Sequence, residues 1–389
     1  MSSFLDHYFF AAVALVFIFL PLRPKGLNRT FWFGVLNFLA LASISGLRAP
    51  LLAVAIAGVL WFALFIHQTL PNNSVGARRV LEVAIYSGLT IVFLFHKAIL
   101  DLGKSPAGIH TTILQTIAFS YVYLRSLDAA RVAISGGTLL DPVSMSGYLS
   151  PFFMSPAGPV NVYADHARMN DGVAKPPSWS SFIDAADTIT SGLFLKYVVA
   201  EIWKFYFVGS SSAWPTDTFV DSVVIFVYVY FDFWGYSLVA LGIGSLLGVP
   251  TPRNFLAPFR STSLTEFWTR WHVSLGDFVR RGLFFPLQLT MVRRFGRKWA
   301  YLTNLVALVL SFAFVGLWHR LGLTFLGWGL LVGVVVAAEK IVRDWWVKTE
   351  LSKNSHFALA HRILGPIYVF IFVVGTLHIA MPALLGQHR

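Results

Sequence analysis

Two histidines in apolar, aromatic-rich segments are the side chains of this chain best suited to chemistry. His319 ends the run Gly316-Leu317-Trp318-His319, and His272 lies in an earlier segment that begins at Ser263. Imidazole is a poor lipid-facing group, and within a membrane it usually turns inward to a partner, a cavity or a substrate. Its pKa also suits proton transfer near neutral pH. We therefore predict a buried reaction site around these two side chains.

Each histidine also has a plainer interpretation. His272 could be a structural residue on an interfacial helix, and His319 could close a helix beside an interfacial tryptophan belt. A proton-transferring role for His319 requires access to water or substrate. Gly316 and Gly322 would let backbone or ligand approach it closely.

Residues 263–279 carry the pattern of an amphipathic helix. Ser263 and Glu266 have the spacing of a capping box, and Glu266 can pair with Arg270 one turn later. Apolar residues recur every three or four positions, at Leu264, Phe267, Trp268, Trp271, Leu275, Phe278 and Val279. This spacing predicts one continuous helix with His272 at the edge of its apolar stripe.

A carboxylate, Asp232, interrupts the apolar run Val229–Tyr236. An ionised group at membrane depth is costly and is usually paired. A histidine, an arginine of the amphipathic segment or a tyrosine hydroxyl could be its partner. We expect a structural pair here rather than a catalytic acid.

The composition is that of a membrane protein. Of the 389 residues, 56% are hydrophobic and 12% are charged, and a soluble domain normally carries about twice that charge. Apolar stretches recur along the chain, and about 20 residues are needed to cross a bilayer. We predict an all-α polytopic membrane protein with about 9–11 transmembrane or re-entrant helices.

We expect one integral membrane domain over residues 1–389. Residues 1–125 would form N-terminal helices, and residues 126–187 a loop or re-entrant segment, because Gly and Pro punctuate that stretch. Residues 188–330 would form the core that carries the chemistry, and residues 331–389 the C-terminal helices.

The net charge of +12 is explained by Lys and Arg next to spanning helices, which set orientation. Three clusters fall on one side if the first five helices alternate, which places the N-terminus outside. They are Arg23, Lys25 and Arg29, then Arg78 and Arg79, then Arg125 and Arg131. The basic residues form no soluble basic domain, so we expect no nucleic-acid partner. Attraction of anionic lipids, or of an acidic substrate, is a second role.

Cysteine is absent from these residues, which excludes disulfides, thiolate metal sites and a cysteine nucleophile among them. The sequence has no metal-ligand spacing and no nucleotide-binding loop, so no metal site is expected.

Five motifs occur in a fixed order. They are Phe152-Phe153 followed by Gly158–Tyr163, then Phe231–Ser237, Pro252–Phe255, Glu266–Leu275 and Gly316–His319. Together they resemble the membrane-bound O-acyltransferase (MBOAT) family, and most of all its bacterial branch of alginate O-acetylases and teichoic-acid D-alanyl transfer proteins. The motifs lie within residues 150–330, whereas the first 125 residues match in hydropathy alone.

The resemblance implies that the helices surround a central tunnel. It also implies a catalytic role for His319, and it matches His272 to the second motif histidine of the family. The residues that would bind substrate or line the tunnel are Asp232, Asn254, Trp268, Arg270, Trp271, Trp318 and Arg320. The chain departs from the family pattern at Arg320, where a glycine usually follows the catalytic histidine. It departs again at Arg280-Arg281-Gly282-Leu283, where the branch usually has Arg-Asp-Tyr. Arg320 could narrow the tunnel or bind an anionic group.

The implied reaction is acyl transfer from a thioester to an alcohol, with His319 as general base. The donor substrate would be acyl-CoA or an acyl carrier protein, with no bound cofactor, and the acyl group acetyl or similarly small. The acceptor would be an exported polysaccharide, a cell-envelope polymer or a periplasmic relay or polysaccharide-modifying protein. The expected location is the lipid bilayer of the bacterial cytoplasmic (inner) membrane, crossed several times.

Two other functions fit the same residues. A lipid-directed acyltransferase of the same superfamily would use the same histidine on a membrane alcohol. A transporter or flippase without catalysis would use Asp232 and the histidines as a proton relay.

Overall fold

The computed structural model describes residues 6–101, 118–170, 178–208, 218–348 and 355–384. Within these ranges the chain is helical and has no β-strand. The α-helices are α1 His7–Phe19, α2 Arg29–Ser45, α3 Arg48–Thr69, α4 Val75–Asp101, α5 Phe119–Ile134, α6 Pro142–Leu149, α7 Tyr163–Ala167, α8 Trp179–Phe194, α9 Ala200–Val208, α10 Phe219–Leu247, α11 Leu264–Arg270, α12 Val273–Val279, α13 Phe285–Phe295, α14 Ala300–His319, α15 Leu323–Trp346 and α16 Ser355–Leu384. The predicted all-α class is confirmed.

Six helices in the described ranges are long and apolar enough to cross a bilayer. They are Arg48–Thr69, Val75–Ala98, Phe219–Leu247, Arg297–His319, Leu323–Trp346 and Leu359–Ala380. Two shorter apolar helices, α1 and α2, precede them. The prediction of a polytopic membrane protein is therefore confirmed.

The helices fall into two compact units. The first comprises Met1–Gly192 and Tyr236–Pro252, and the second comprises Leu193–Gly235 and Arg253–Arg389. The segment boundaries predicted at residues 125, 187 and 330 stay predictions.

In the first unit, polar side chains satisfy the irregular backbone between α6 and α7. Asn37 on α2 donates from Nδ2 to the Ser150 carbonyl at 3.1 Å and accepts from the Phe152 N–H at 2.8 Å. The fully buried Arg125 on α5 donates to the Leu149 and Pro159 carbonyls at 3.0 and 2.9 Å. The backbone between Leu149 and Tyr163 is thus enclosed in protein.

The position of Arg125 corrects the charge argument. We expected Arg125 and Arg131 in a loop after a spanning helix, but both lie within α5. Arg131 pairs with the buried Asp128 at 2.8 Å, and Arg125 is inaccessible to solvent. A buried arginine that binds backbone carbonyls stabilises packing and gives no information about orientation in the membrane. The use of Arg125 and Arg131 as an orientation cluster is therefore wrong.

In the second unit, α14 and α15 form an antiparallel hairpin joined by Arg320–Gly322. Glycines let the two backbones touch, because a Cβ at Gly316 would meet the Phe325 carbonyl oxygen at 2.1 Å and one at Gly329 would meet the Phe312 oxygen at 2.3 Å. Small residues at such a crossing are the usual device of membrane helix pairs. They fix the rotation of α14, and therefore the direction in which His319 leaves it.

Helix α11 is anchored on this hairpin. The Glu339 carboxylate of α15 accepts from the Leu264 and Thr265 N–H groups at 2.7 and 3.1 Å. These are orphan donors at the start of α11, where a negative charge is also favoured by the helix dipole. The adjoining core holds Phe226, Leu264, Phe267, Val332, Val336, Val369, Val373 and Val374.

Candidate active site

The backbone breaks at His272, in the middle of the predicted continuous helix. Helix α11 ends at Arg270, Trp271 is extended at φ −99° and ψ 126°, and His272 is left-handed at φ 48° and ψ 51°. Helix α12 begins one residue later. The prediction of a single helix over this segment is therefore wrong. A non-glycine residue in the left-handed region is strained and must be held by its surroundings.

Asn254 and its neighbours hold the break. The Asn254 carbonyl accepts from the Val273 N–H at 3.0 Å, and its Oδ1 accepts from the Ser274 hydroxyl at 2.6 Å. One residue along, the Leu256 N–H donates to the Arg270 carbonyl at 3.0 Å. In a continuous helix the Val273 N–H and the Arg270 carbonyl would bond within the helix. Here they bond to Asn254 and Leu256 instead, so a strand-like pairing replaces one helical turn.

The cap of α11 matches its pattern in part. Ser263 Oγ accepts from the Glu266 N–H at 3.1 Å, as expected of a capping box, but the Glu266 carboxylate accepts from the Thr262 N–H at 2.8 Å. The predicted ion pair between Glu266 and Arg270 is confirmed at 2.6 Å. Arg270 also donates to the Leu256 carbonyl at 3.5 Å.

His272 is buried and neutral. Its side chain is 7% exposed, its ring meets Phe233 edge-on at 4.9 Å, and its Nδ1 has no hydrogen-bond partner among the described residues. Burial, with a smaller effect of the nearby His319, lowers the pKa of His272 to about 3. The two imidazoles are therefore within electrostatic reach, and the lowered pKa favours the neutral form of His272 at neutral pH.

His319 is the last residue of α14 and is exposed. Its ring centroid lies 4.9 Å from that of Trp318 and 6.1 Å from that of Trp328, the latter edge-on at 81°. Arg320 follows in an extended conformation, and its N–H donates to the Gly316 carbonyl at 3.2 Å. An accessible imidazole at the end of an apolar helix meets the requirement set for proton transfer.

Trp268 on α11 and Trp271, just after its end, contact different partners. The Trp268 ring centroid lies 5.5 Å from that of Phe312 and 6.3 Å from that of Trp328. Because Trp328 also contacts His319, these rings form one aromatic cluster, the His319 cluster. Trp271 instead stacks on Phe226 at 5.1 Å.

Asp232 forms a buried ion pair with Lys196. Lys196 is 2% exposed and sits on the π-helical turn Leu195–Val199 between α8 and α9, and Asp232 on α10 is 8% exposed. None of the partners proposed from the sequence was lysine, so that part of the prediction is wrong. Lys196 is the one charged residue in the apolar stretch Gly192–Ala200, and this was the signal, since an isolated charge there needs a partner as much as Asp232 does.

The described residues thus bring His272, His319, Trp268 and Trp318 into one neighbourhood of the second unit, and Asn254, Arg270 and Trp271 into the pairing beside it. Trp328 belongs to the cluster and was missed, because one tryptophan in an apolar helix has no distinctive pattern. Among the described residues, no three His, Cys, Asp or Glu side chains come together as a metal site would require.

Comparison with known proteins agrees with the motifs. The model of the membrane-bound O-acyltransferase family (MBOAT) matches residues 210–377, a range that contains both histidines. A protein of Pseudomonas syringae pv. tomato named "Probable alginate O-acetylase AlgI" is 27% identical over 368 residues, which is 86% of this chain and 66% of the relative. The predicted family resemblance is confirmed.

Two further relatives carry other names. "Peptidoglycan O-acetyltransferase" of Helicobacter pylori is 30% identical over 186 residues, which is 47% of this chain and 33% of the relative. "Teichoic acid D-alanyltransferase" of Streptococcus thermophilus is 26% identical over 263 residues, 62% of this chain and 60% of the relative. The chain therefore spans less than two thirds of the length of each of these relatives.

Proposed function

We propose that this chain transfers a small acyl group from a thioester to a hydroxyl of an exported polysaccharide or another cell-envelope polymer. The observation that carries the proposal is the exposed His319 at the end of α14, with the buried neutral His272 in electrostatic reach. The family match over residues 210–377 and relatives named for alginate, peptidoglycan and teichoic acid support the acceptor class.

In this reaction His319 accepts the proton of the acceptor hydroxyl as that oxygen attacks the thioester carbonyl. The same proton passes to the departing thiolate when the tetrahedral intermediate collapses. His272 stays neutral throughout, because its buried surroundings resist a charge and a protonated His319 would resist it further. Its role is to orient the acceptor, the thioester or the His319 ring by hydrogen bonding.

The donor we propose is acyl-CoA or an acylated carrier protein, with an acetyl or similarly small acyl group. The chain would lie in the bacterial cytoplasmic membrane and take the thioester from the inner side. A periplasmic relay or polysaccharide-modifying protein would receive the acyl group or present the polymer. A lipid-directed enzyme would label lipid, and a transporter would move solute without labelling anything. One experiment therefore separates both from the proposed function.

The experiment uses the protein in vesicles with labelled acetyl-CoA or acetyl-loaded carrier protein and an envelope extract. We expect label to move to a hydroxyl of the extract, and His319→Ala to lower the rate roughly 10²–10⁴-fold. His361→Ala removes another exposed histidine of the second unit and should leave the rate unchanged.

Other results would contradict the proposal. Label in lipid, in vesicles without extract, would identify a lipid-directed enzyme. Transfer that survives His319→Ala would remove the proposed base. Solute flux that does not depend on either thioester, from a folded protein that transfers no label, would favour a transporter.

A further inference from the structure

Two buried indole N–H groups beside His319 have no hydrogen-bond partner among the described residues. They are Nε1 of Trp268 on α11 and Nε1 of Trp328 on α15. Both indoles are half-buried, but the two nitrogens are screened from solvent. Tryptophan is a donor only, and buried donors normally find an acceptor. Two such groups on one cluster next to the candidate base therefore point to an acceptor oxygen that binds there.

The rings belong to one rigid arrangement. The Trp328 centroid lies 6.1 Å from that of His319 and 6.3 Å from that of Trp268, at interplanar angles of 81° and 79°. The close glycine contacts between α14 and α15 fix the position of Trp328 relative to His319. The Glu339 carboxylate anchors α11 and so holds Trp268 on the same hairpin.

We infer that Trp268 and Trp328 donate hydrogen bonds to the carbonyl oxygen of the acyl thioester and stabilise the negative charge that it gains during transfer. The inference rests on the proposed function and names the groups that its transition state needs. Donors held in place in a water-screened site are the most effective means of stabilising such an oxyanion.

The transfer step moves electrons and one proton as follows when the two indole N–H groups bind the carbonyl oxygen. The acceptor oxygen bonds to the carbonyl carbon while its proton passes to His319, and the carbonyl π electrons move onto the oxygen that the two indoles face. When the C=O bond re-forms, the C–S bond breaks. The thiolate leaves with the bonding pair and takes the proton from His319.

Trp203, in the same unit, offers a matched control for the two indoles. Trp203 Nε1 donates to the Val224 carbonyl at 2.9 Å, so its N–H already has a structural acceptor. Trp203→Phe removes an indole N–H of equal chemistry with no proposed part in transfer. It therefore measures what the loss of an indole does to the fold alone.

The test measures kcat and the donor KM for Trp268→Phe, Trp328→Phe and Trp203→Phe with the labelled thioester that the wild type uses. We expect kcat to fall roughly 10²-fold for Trp328→Phe and for Trp268→Phe, with KM nearly unchanged and the pH profile retained. Trp203→Phe should keep kcat. A kcat for Trp328→Phe and Trp268→Phe no lower than for Trp203→Phe would overturn the inference.

A second variant guards against misfolding. Replacing Trp328 with 3-benzothienylalanine keeps the two-ring shape and exchanges only the N–H for sulfur. Loss of kcat in this folded variant supports the inference, and wild-type kcat overturns it.

A binding measurement separates this inference from the proposed function. The ketone analogue of acetyl-CoA, in which CH2 replaces sulfur, offers a carbonyl oxygen, whereas S-ethyl-CoA offers none. We expect the indole ¹⁵N–H resonances of Trp268 and Trp328 to shift with the ketone alone. If the wild type transfers no label yet shows this shift, acyl transfer fails and the donor site stands. If it transfers label but both analogues leave the resonances unchanged, the donor site alone fails.

Discussion

We predict that Lys196 and Asp232 form a structural ion pair. Loss of one partner should destabilise the protein, whereas loss of both should not. Their side chains are 3% and 11% exposed, and Asp232 lies in a helix long enough to span the membrane. Removing one partner of a buried pair leaves an uncompensated charge and costs about 3–5 kcal/mol. Replacing both with apolar side chains of similar volume is often neutral or stabilising, by about 1–4 kcal/mol.

The two single variants should differ. Lys196→Met leaves a short carboxylate that cannot reach water, so we expect the full loss of stability. Asp232→Leu leaves Lys196, whose flexible stem can carry the ammonium toward an interface. The Lys196 Nζ also lies 5.8 Å from the Tyr197 ring centroid, which offers a partial substitute. Asp232→Leu should therefore be the milder change.

Stability would be measured by reversible unfolding in mixed micelles, and acyl transfer by the vesicle assay. We expect Lys196→Met/Asp232→Leu to recover both the stability and the transfer rate that Lys196→Met loses. A double variant as unstable as Lys196→Met would refute the reasoning about the pair. A double variant that folds like the wild type but transfers nothing would show that the pair takes part in the reaction, as the proton-relay hypothesis requires.

Two further predictions concern the site. Because burial lowers the pKa of His272 from 6.5 to about 3, the unfolded chain binds a proton that the folded chain refuses. The stabilising contribution of neutral His272 is complete above pH 6.5 and falls by about 1.4 kcal/mol per unit toward pH 3. His272→Gln should flatten that slope between pH 4 and 6 in the same unfolding assay, whereas an unchanged slope would contradict the buried, neutral state. Glu339→Gln should cost about 1–2 kcal/mol, because the neutral amide caps α11 less well than the carboxylate, and should slow transfer by loosening Trp268. Asp344→Asn removes a carboxylate five residues later on the same helix, where it pairs with Lys340, and should do neither; equal effects from both would contradict the anchoring role.

Motifs and local patterns predicted the parts of this site that depend on neighbouring residues. The Ser263 cap and the pair between Glu266 and Arg270 lie within one turn, so residue spacing alone determines them. His272 and His319 stood out because imidazole is rare in apolar surroundings. The all-α class followed from the length of the apolar stretches, and the structure confirms it.

Other features depend on partners far away in sequence. Lys196 meets Asp232 from another helix, and Arg125 is held by carbonyls of the segment after α6. Both residues lie in stretches that look like ordinary helix, so only the tertiary contact reveals that they are buried. Trp328 joins the site through the glycine contacts of α14 and α15, which a hydropathy pattern does not contain.

The break at His272 shows why residue spacing wrongly predicted a continuous helix beside the candidate site. The apolar stripe from Leu264 to Val279 fits a helix at every position; it contains no Pro, and its one glycine, Gly276, lies four residues after the break. The cost of a left-handed histidine, about 1–3 kcal/mol, is offset by the hydrogen bonds that Asn254 makes to Val273 and Ser274. In a continuous helix His272 would lie one turn from Trp268 on the same stripe. In the structure Trp268 instead contacts Trp328, which lies beside His319, and the buried His272 ring lies against Phe233.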